Sequence, residues 1–159
     1  MKEFSIARRA TILLSVALLT ACASGVKLDD VAGGKGGTDF SAQPWNDPKS
    51  PLFKRSVYFD FDSYAVKSEY QATLQAHANY LKANKDRKIK IEGNTDERGT
   101  TEYNLALGQR RSEAVRKSLT LLGVPDSQIE AVSFGKEKPK AQGSNEAAWQ
   151  ENRRADIAY

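Results

Sequence analysis

KIKIEGNTDERGTTEYNLALGQRRSEAVRKSLTLLG, residues 88–123, carries three structural signals in succession. Lys88-Ile89-Lys90-Ile91-Glu92 alternates apolar with polar side chains, the period of a strand with one buried face. Gly93 opens a polar turn that runs to Thr100 and includes Gly99, a residue free to take positive φ. Residues 101–122 then repeat apolar side chains at helical spacing, and Gly123 with Pro125 beyond it closes the helix.

The same pattern extends in both directions. Residues 57–62 alternate and predict a strand; Val66, Tyr70, Leu74, Ala78 and Leu81 predict an amphipathic helix over 66–84. Downstream, residues 129–134 predict a third strand, 145–152 a short helix and 154–159 a last strand. The order β-α-β-α-β-α-β predicts an α+β fold, a two-layer α/β sandwich, over residues 56–159.

On a helical wheel at about 100° per residue, with Asn104 at zero, Leu107 falls near about −60°, Arg111 near about −20° and Val115 near about +20°. Arg111 therefore lies inside the apolar stripe, whereas Arg110 lies on its flank. A core-facing guanidinium needs a partner, because an unpaired buried charge is expensive. Asp96, in the turn before the helix, is the nearest candidate, and Asp62 is another. Two readings follow. Arg111 and Asp96 form a structural ion pair, or they read a zwitterion, the guanidinium fork taking a carboxylate and the Asp an ammonium.

The N-terminal part is different in kind. Residues 1–9 are short and basic, and residues 10–19 form an apolar run broken only by Thr11 and Ser15. As a helix that run rises about 15 Å, half of a bilayer core, so it suits a signal peptide rather than a span. Leu19-Thr20-Ala21-Cys22 resembles a bacterial lipobox, with the chain's only Cys at the acylated position. The expectation is a signal peptide over 1–21, a lipid on Cys22 and a flexible tether over 22–55, rich in Gly at 33–37 and punctuated by Pro44, Pro48 and Pro51. Such a tether has an r.m.s. reach of roughly 30 Å and a contour of about 110 Å. Ala23-Ser24 after the Cys resembles an outer-membrane sorting signal. Trp45 and Phe53 are the aromatics of this stretch; they either pack back on the domain or meet a partner.

Composition narrows the function. One Cys excludes a disulfide framework and a multi-Cys zinc site, and with one His no His-based metal or catalytic cluster is expected. No cofactor and no metal is expected. Of the net charge of +4, Lys2, Arg8 and Arg9 against Glu3 supply half, so residues 22–159 are close to neutral and nucleic-acid binding is not expected. Asp60 and Asp62, two apart on the predicted strand, share a face and do not flank a bond from opposite sides as a glycosidase pair does. His77 falls in the stripe of the first helix as a core histidine. Tyr103 is expected in the core at the helix start, Trp149 between the short helix and the sheet, and Lys136, Lys138 and Lys140 on a solvated loop.

Thr95-Asp96, Gly99, Tyr103-Asn104, Leu107 and Arg110-Arg111 resemble the signature of the OmpA-like peptidoglycan-binding domain family, roughly T-D-x-x-G-x-x-x-Y-N-x-x-L-S-x-x-R. The lipobox, the tether, Tyr58-Phe59-Asp60-Phe61-Asp62, Phe134-Gly135-Lys136-Glu137-Lys138-Pro139 and Asn152-Arg153-Arg154 resemble its lipid-anchored subfamily. The resemblance implies a non-enzymatic domain that holds the diaminopimelate of peptidoglycan stem peptides and ties the outer membrane to the wall. It implies Asp96 on the ammonium, Arg111 on the carboxylate, Phe61 and Asp62 at the end of the first strand, and Asn104 and Leu107 lining the pocket. It also implies TolB as a partner on the same face, with Glu97 and Arg98 as first candidates for that contact. Gly108 stands where many relatives have Ser, on the helix line shared with Asn104 and Arg111, and is expected to retune the site. The alternatives are a wall-binding lipoprotein without a Tol partner and a periplasmic wall-processing enzyme.

Overall fold

The computed structural model describes residues 43–159. The expected signal peptide, the lipidated Cys22 and the glycine-rich stretch lie outside the described residues. Strands β1 (Ser56–Tyr58), β2 (Ile89–Asn94), β3 (Ile129–Gly135) and β4 (Arg154–Ala158) alternate along the chain with helices α1 (Gln71–Ala83), α2 (Thr101–Leu121) and α3 (Glu146–Asn152). The predicted order of elements and the α+β class hold.

The strands form one sheet in the order β1-β4-β2-β3. β2 and β3 are parallel, joined by the crossover through α2, and the other two pairings are antiparallel. Helices α1 and α2 cover one face. Leu74, Ala78 and Leu81 from α1 and Val115 and Leu119 from α2 meet Val57, Ile89, Ile91, Ala155 and Ile157 of the sheet. His77, fully buried in the same stripe, is held by the Tyr159 hydroxyl at 2.6 Å and the Lys54 carbonyl at 2.9 Å.

Three departures from the sequence expectations shape the molecule. The first strand ends at Tyr58, not at residue 62. Phe59 N still donates to the Arg153 carbonyl at 2.8 Å, but Asp60 then enters a tight turn closed by Ser63 N on the Asp60 carbonyl at 3.2 Å. Asp60 and Asp62 thus share no strand face, and Asp62 takes a left-handed φ of 54°, which Asp tolerates better than most residues. The first helix begins late, after a 3-10 turn at Ser68–Tyr70, and the chain before it is tied to α2 by Arg111 on the Asp60 and Ser63 carbonyls.

The third departure is upstream. Residues 43–55, expected in the tether, belong to the packed body. Trp45 is 7% exposed, stacks on Tyr159 at 4.2 Å between ring centroids, and meets Tyr80 edge-on at 5.8 Å. Ser50 caps a 3-10 turn at Pro51–Phe53 that buries Leu52, while Phe53 stays exposed. A strap rich in Pro and polar residues has no internal periodicity to announce this; the aromatic cleft that receives Trp45 is assembled from α1 and the residue after β4.

Candidate functional site

The polar turn of residues 95–100 sits at the C-terminal ends of β2 and β3, where a register shift at Gly93/Asn94 bends the strand and pairs Asn94 with Gly135. Thr95 N donates to the Gly135 carbonyl at 2.8 Å and fixes the turn to β3. Thr100 caps α2, its hydroxyl accepting from Tyr103 N at 3.2 Å. Gly99, at φ 95°, makes the reversal between turn and helix. Asn104, buried on the first turn of α2, donates from Nδ2 to the Arg98 carbonyl at 2.9 Å and holds the turn against the helix.

A cavity of about 250 Å³ opens beside this turn. Phe61, Asp62, Asp96, Asn104, Leu107 and Arg111, all the residues expected to hold the ligand, line it, and Thr95, Arg98, Gly99 and Tyr103 complete the wall. The structure therefore gathers in one place residues from the β1–α1 connection, the β2–α2 turn and the helix itself.

Arg111 is fully buried, but Asp96 is not its hydrogen-bond partner. Its guanidinium donates to three backbone carbonyls: Nε to Ser63 at 2.8 Å, Nη1 to Asn94 at 2.8 Å and Nη2 to Asp60 at 3.1 Å. The expectation of a direct Arg111–Asp96 pair, or of Asp62 in its place, is corrected. Carbonyl dipoles replace a carboxylate, two of them from the turn after β1. Each charge-assisted bond is stronger than a neutral one, and a lost donor leaves a buried carbonyl unsatisfied at about 1–3 kcal/mol. Burial pushes the guanidinium down to about 10, with the nearby charge of Asp96 opposing the shift, so it remains a cation at neutral pH.

Asp96 is itself 4% exposed. Its carboxylate takes Arg98 in a fork, Nε on Oδ1 at 3.2 Å and Nη2 on Oδ2 at 2.6 Å, and Oδ1 also accepts from Arg98 N at 3.1 Å. Arg153 Nη1 approaches Oδ2 at 3.5 Å from the α3 side. Burial alone would push the Asp96 carboxyl up; the hydrogen bonds from Arg98, with Arg153 behind, outweigh it and hold the carboxyl below its ordinary range.

The wall carries further corrections. Tyr103 is 46% exposed, not in the core, and its hydroxyl donates to the Asp62 carboxylate across the cavity mouth. Trp149 packs on the turn rather than on the sheet: its Nε1 donates to Glu97 Oε1 at 3.1 Å and its ring faces the Arg98 guanidinium at 4.1 Å. Lys136 is not free on a solvated loop but donates from Nζ to the Gly99 carbonyl at 2.9 Å. Gly108 lies outside the cavity wall and serves helix–sheet contact, since a Cβ there would meet Ser133 Oγ at 2.3 Å and the Gly93 carbonyl oxygen at 2.9 Å.

Arg98 and Arg153 are the neighbours of Asp96 that helical spacing did not find. Arg98 is legible in hindsight as a cation two residues after an acid in a turn. Arg153 lies 57 residues from Asp96, and only the closing of β4 beside the turn brings it in.

A family model described as "OmpA family" matches residues 58–153. The peptidoglycan-associated lipoprotein of Pasteurella multocida is 48% identical over 145 residues, 91% of this chain and 92% of the relative. The crystal structure of the peptidoglycan-associated lipoprotein from Burkholderia pseudomallei is 68% identical, with a TM-score of 0.72, covering 74% of this chain and 99% of that one. The C-terminal domain of Helicobacter pylori MotB, at 23% identity and a TM-score of 0.59, covers 64% of this chain and 81% of its own and shares the fold.

Proposed function

This chain belongs to the OmpA family, and from that premise we propose that it holds peptidoglycan non-covalently, through the zwitterionic end of a diaminopimelate stem peptide. The observation that carries the reading is the cavity in which a buried carboxylate, Asp96, and a buried guanidinium, Arg111, line the same wall. Arg111 uses three of its five N–H donors on carbonyls, which leaves two for a ligand carboxylate. Asp96 supplies the counter-charge for the ammonium. Phe61 and Leu107 give apolar surface for the methylenes between, and Asn104 and Asp62 add polar groups to the lining.

In this reading the domain performs no bond chemistry. Holding is enough: with a lipid on Cys22 it ties the outer membrane to the wall from the periplasmic side, within the Tol–Pal system for envelope integrity and cell division. Its protein partner is TolB, which approaches the same face. Relatives named peptidoglycan-associated lipoproteins at 38–48% identity support the class of ligand.

The test is calorimetric titration of the full chain in detergent with a diaminopimelate-containing stem peptide and with its Lys-containing analogue, which lacks the second carboxylate. Selective binding of the first is expected. Equal binding of both would mean that Arg111 reads no carboxylate, and binding of neither would leave Arg111 as a fold-holding group only. Co-purification with TolB separates the Tol-linked reading from a wall-binding lipoprotein that works alone.

A further inference from the structure

The carboxylate assigned to the ligand's ammonium already has a cation on it. Both oxygens of Asp96 are engaged by Arg98, so an ammonium has to compete with that guanidinium for the buried carboxylate. The Arg98 side chain is less enclosed, at 34% exposed, and it lines the cavity.

What holds it there is built from both flanks. The guanidinium lies 4.2 Å from the ring centroid of Phe61 and 4.1 Å from that of Trp149. Such contacts with an aromatic face contribute roughly 0.5–1 kcal/mol each at exposed sites. Trp149 is oriented in turn by its bond to Glu97. The backbone of Arg98 does not move freely, since its carbonyl accepts from Asn104 and its N–H donates to Asp96. The movable part is the side chain, and Phe61, one of its two flanking rings, is 62% exposed.

We propose that Arg98 is an internal competitor for the ammonium of the ligand, an affinity-setting residue whose guanidinium occupies Asp96 in the empty site and is displaced when a stem peptide binds. The inference rests on the zwitterion reading of the cavity. Its consequence is arithmetic: the apparent affinity is the intrinsic affinity multiplied by the fraction of molecules in which Asp96 is uncovered. A strong fork over a carboxylate makes that fraction small and keeps the tether reversible. The displaced guanidinium swings toward solvent past Phe61, so the environment of the Trp149 indole changes on binding.

The experiment compares the full-length wild type, Arg98→Gln and Arg98→Lys in detergent, each titrated calorimetrically with a diaminopimelate-containing stem peptide. Arg98→Lys keeps the local charge but loses the planar fork and its double stacking. Thermal melts of each variant report folding. Both variants are expected to bind about three- to ten-fold tighter than wild type, the range set by an uncovered fraction of roughly a third to a tenth. In the wild type, saturation is expected to shift the Trp149 indole N–H resonance; in Arg98→Gln the shift is expected to be much smaller. Weaker binding by both variants would make Arg98 a ligand group and overturn the proposal, as would unchanged affinity beside wild-type binding. No binding by any of the three would sink the zwitterion reading itself, and the competitor with it.

Discussion

Arg111 shows what one residue does in this fold. A guanidinium in the apolar stripe of a helix is tolerable because three backbone carbonyls converge on it, two from the turn after β1 and one from the last residue of β2. His77 solves a similar problem with a neutral ring, placed between the Tyr159 hydroxyl and the Lys54 carbonyl. Burial lowers its proton affinity below the ordinary value of 6.5, and the Lys54 carbonyl only partly offsets this. The unfolded chain therefore binds the proton more readily than the folded one. Stability is complete above about pH 6.5 and falls as the pH drops below it, until the folded group titrates as well. Urea unfolding between pH 7.5 and about pH 5 is expected to show this loss, and His77→Gln is expected to flatten it. An unchanged pH profile in the variant would assign the loss to other groups.

Among elements, the decisive contact is the crossing of α2 over β2 at two glycines. A Cβ on Gly93 would lie 1.9 Å from the Gly108 carbonyl oxygen, and one on Gly108 would press on Ser133 Oγ and the Gly93 oxygen. The close approach lets the first turns of α2 carry Asn104 and Leu107 to the cavity wall. Gly108→Ala is expected to destabilise by about 1–3 kcal/mol, the usual cost of overpacking, without changing the cavity lining. Adding Ser133→Ala is expected to restore part of the loss, because it removes the nearest obstruction but not the backbone oxygen behind it. Full recovery in the double variant, measured by urea denaturation, would mean that the backbone contact relaxes freely. Loss of stem-peptide binding by the folded Gly108→Ala variant would return this residue to the site.

For the whole molecule, the strap of residues 43–55 alters what counts as the domain. Trp45 fills an aromatic cleft with Tyr80 and Tyr159, and Arg87 covers its ring at 5.1 Å. Tyr159 also meets His77, so the strap, the end of the sheet and α1 share one cluster. Trp45→Ala is expected to lower stability by about 3 kcal/mol or more, the range for removing a buried large aromatic. A thermal melt within a degree or two of wild type would show that the cleft closes over the gap.

Much of this was legible without coordinates, for identifiable reasons. Strand and helix periods are local, so the seven elements follow from residues 56–159 alone, and the wheel places Arg111 in the core because side-chain direction in a helix is fixed by spacing. The lining of the cavity by Asp96, Asn104 and Leu107 is nearly local too, since all three belong to one turn and the helix that follows it. Partner choice is not local. Ser63 and Asp60 reach Arg111 across 48 and 51 positions, Arg153 reaches Asp96 across 57, and Trp45 finds Tyr159 from the far end of the described chain. A charge announces in the sequence that it must be satisfied; whether a carboxylate, a carbonyl or a neighbouring ring satisfies it is decided only when the chain closes on itself.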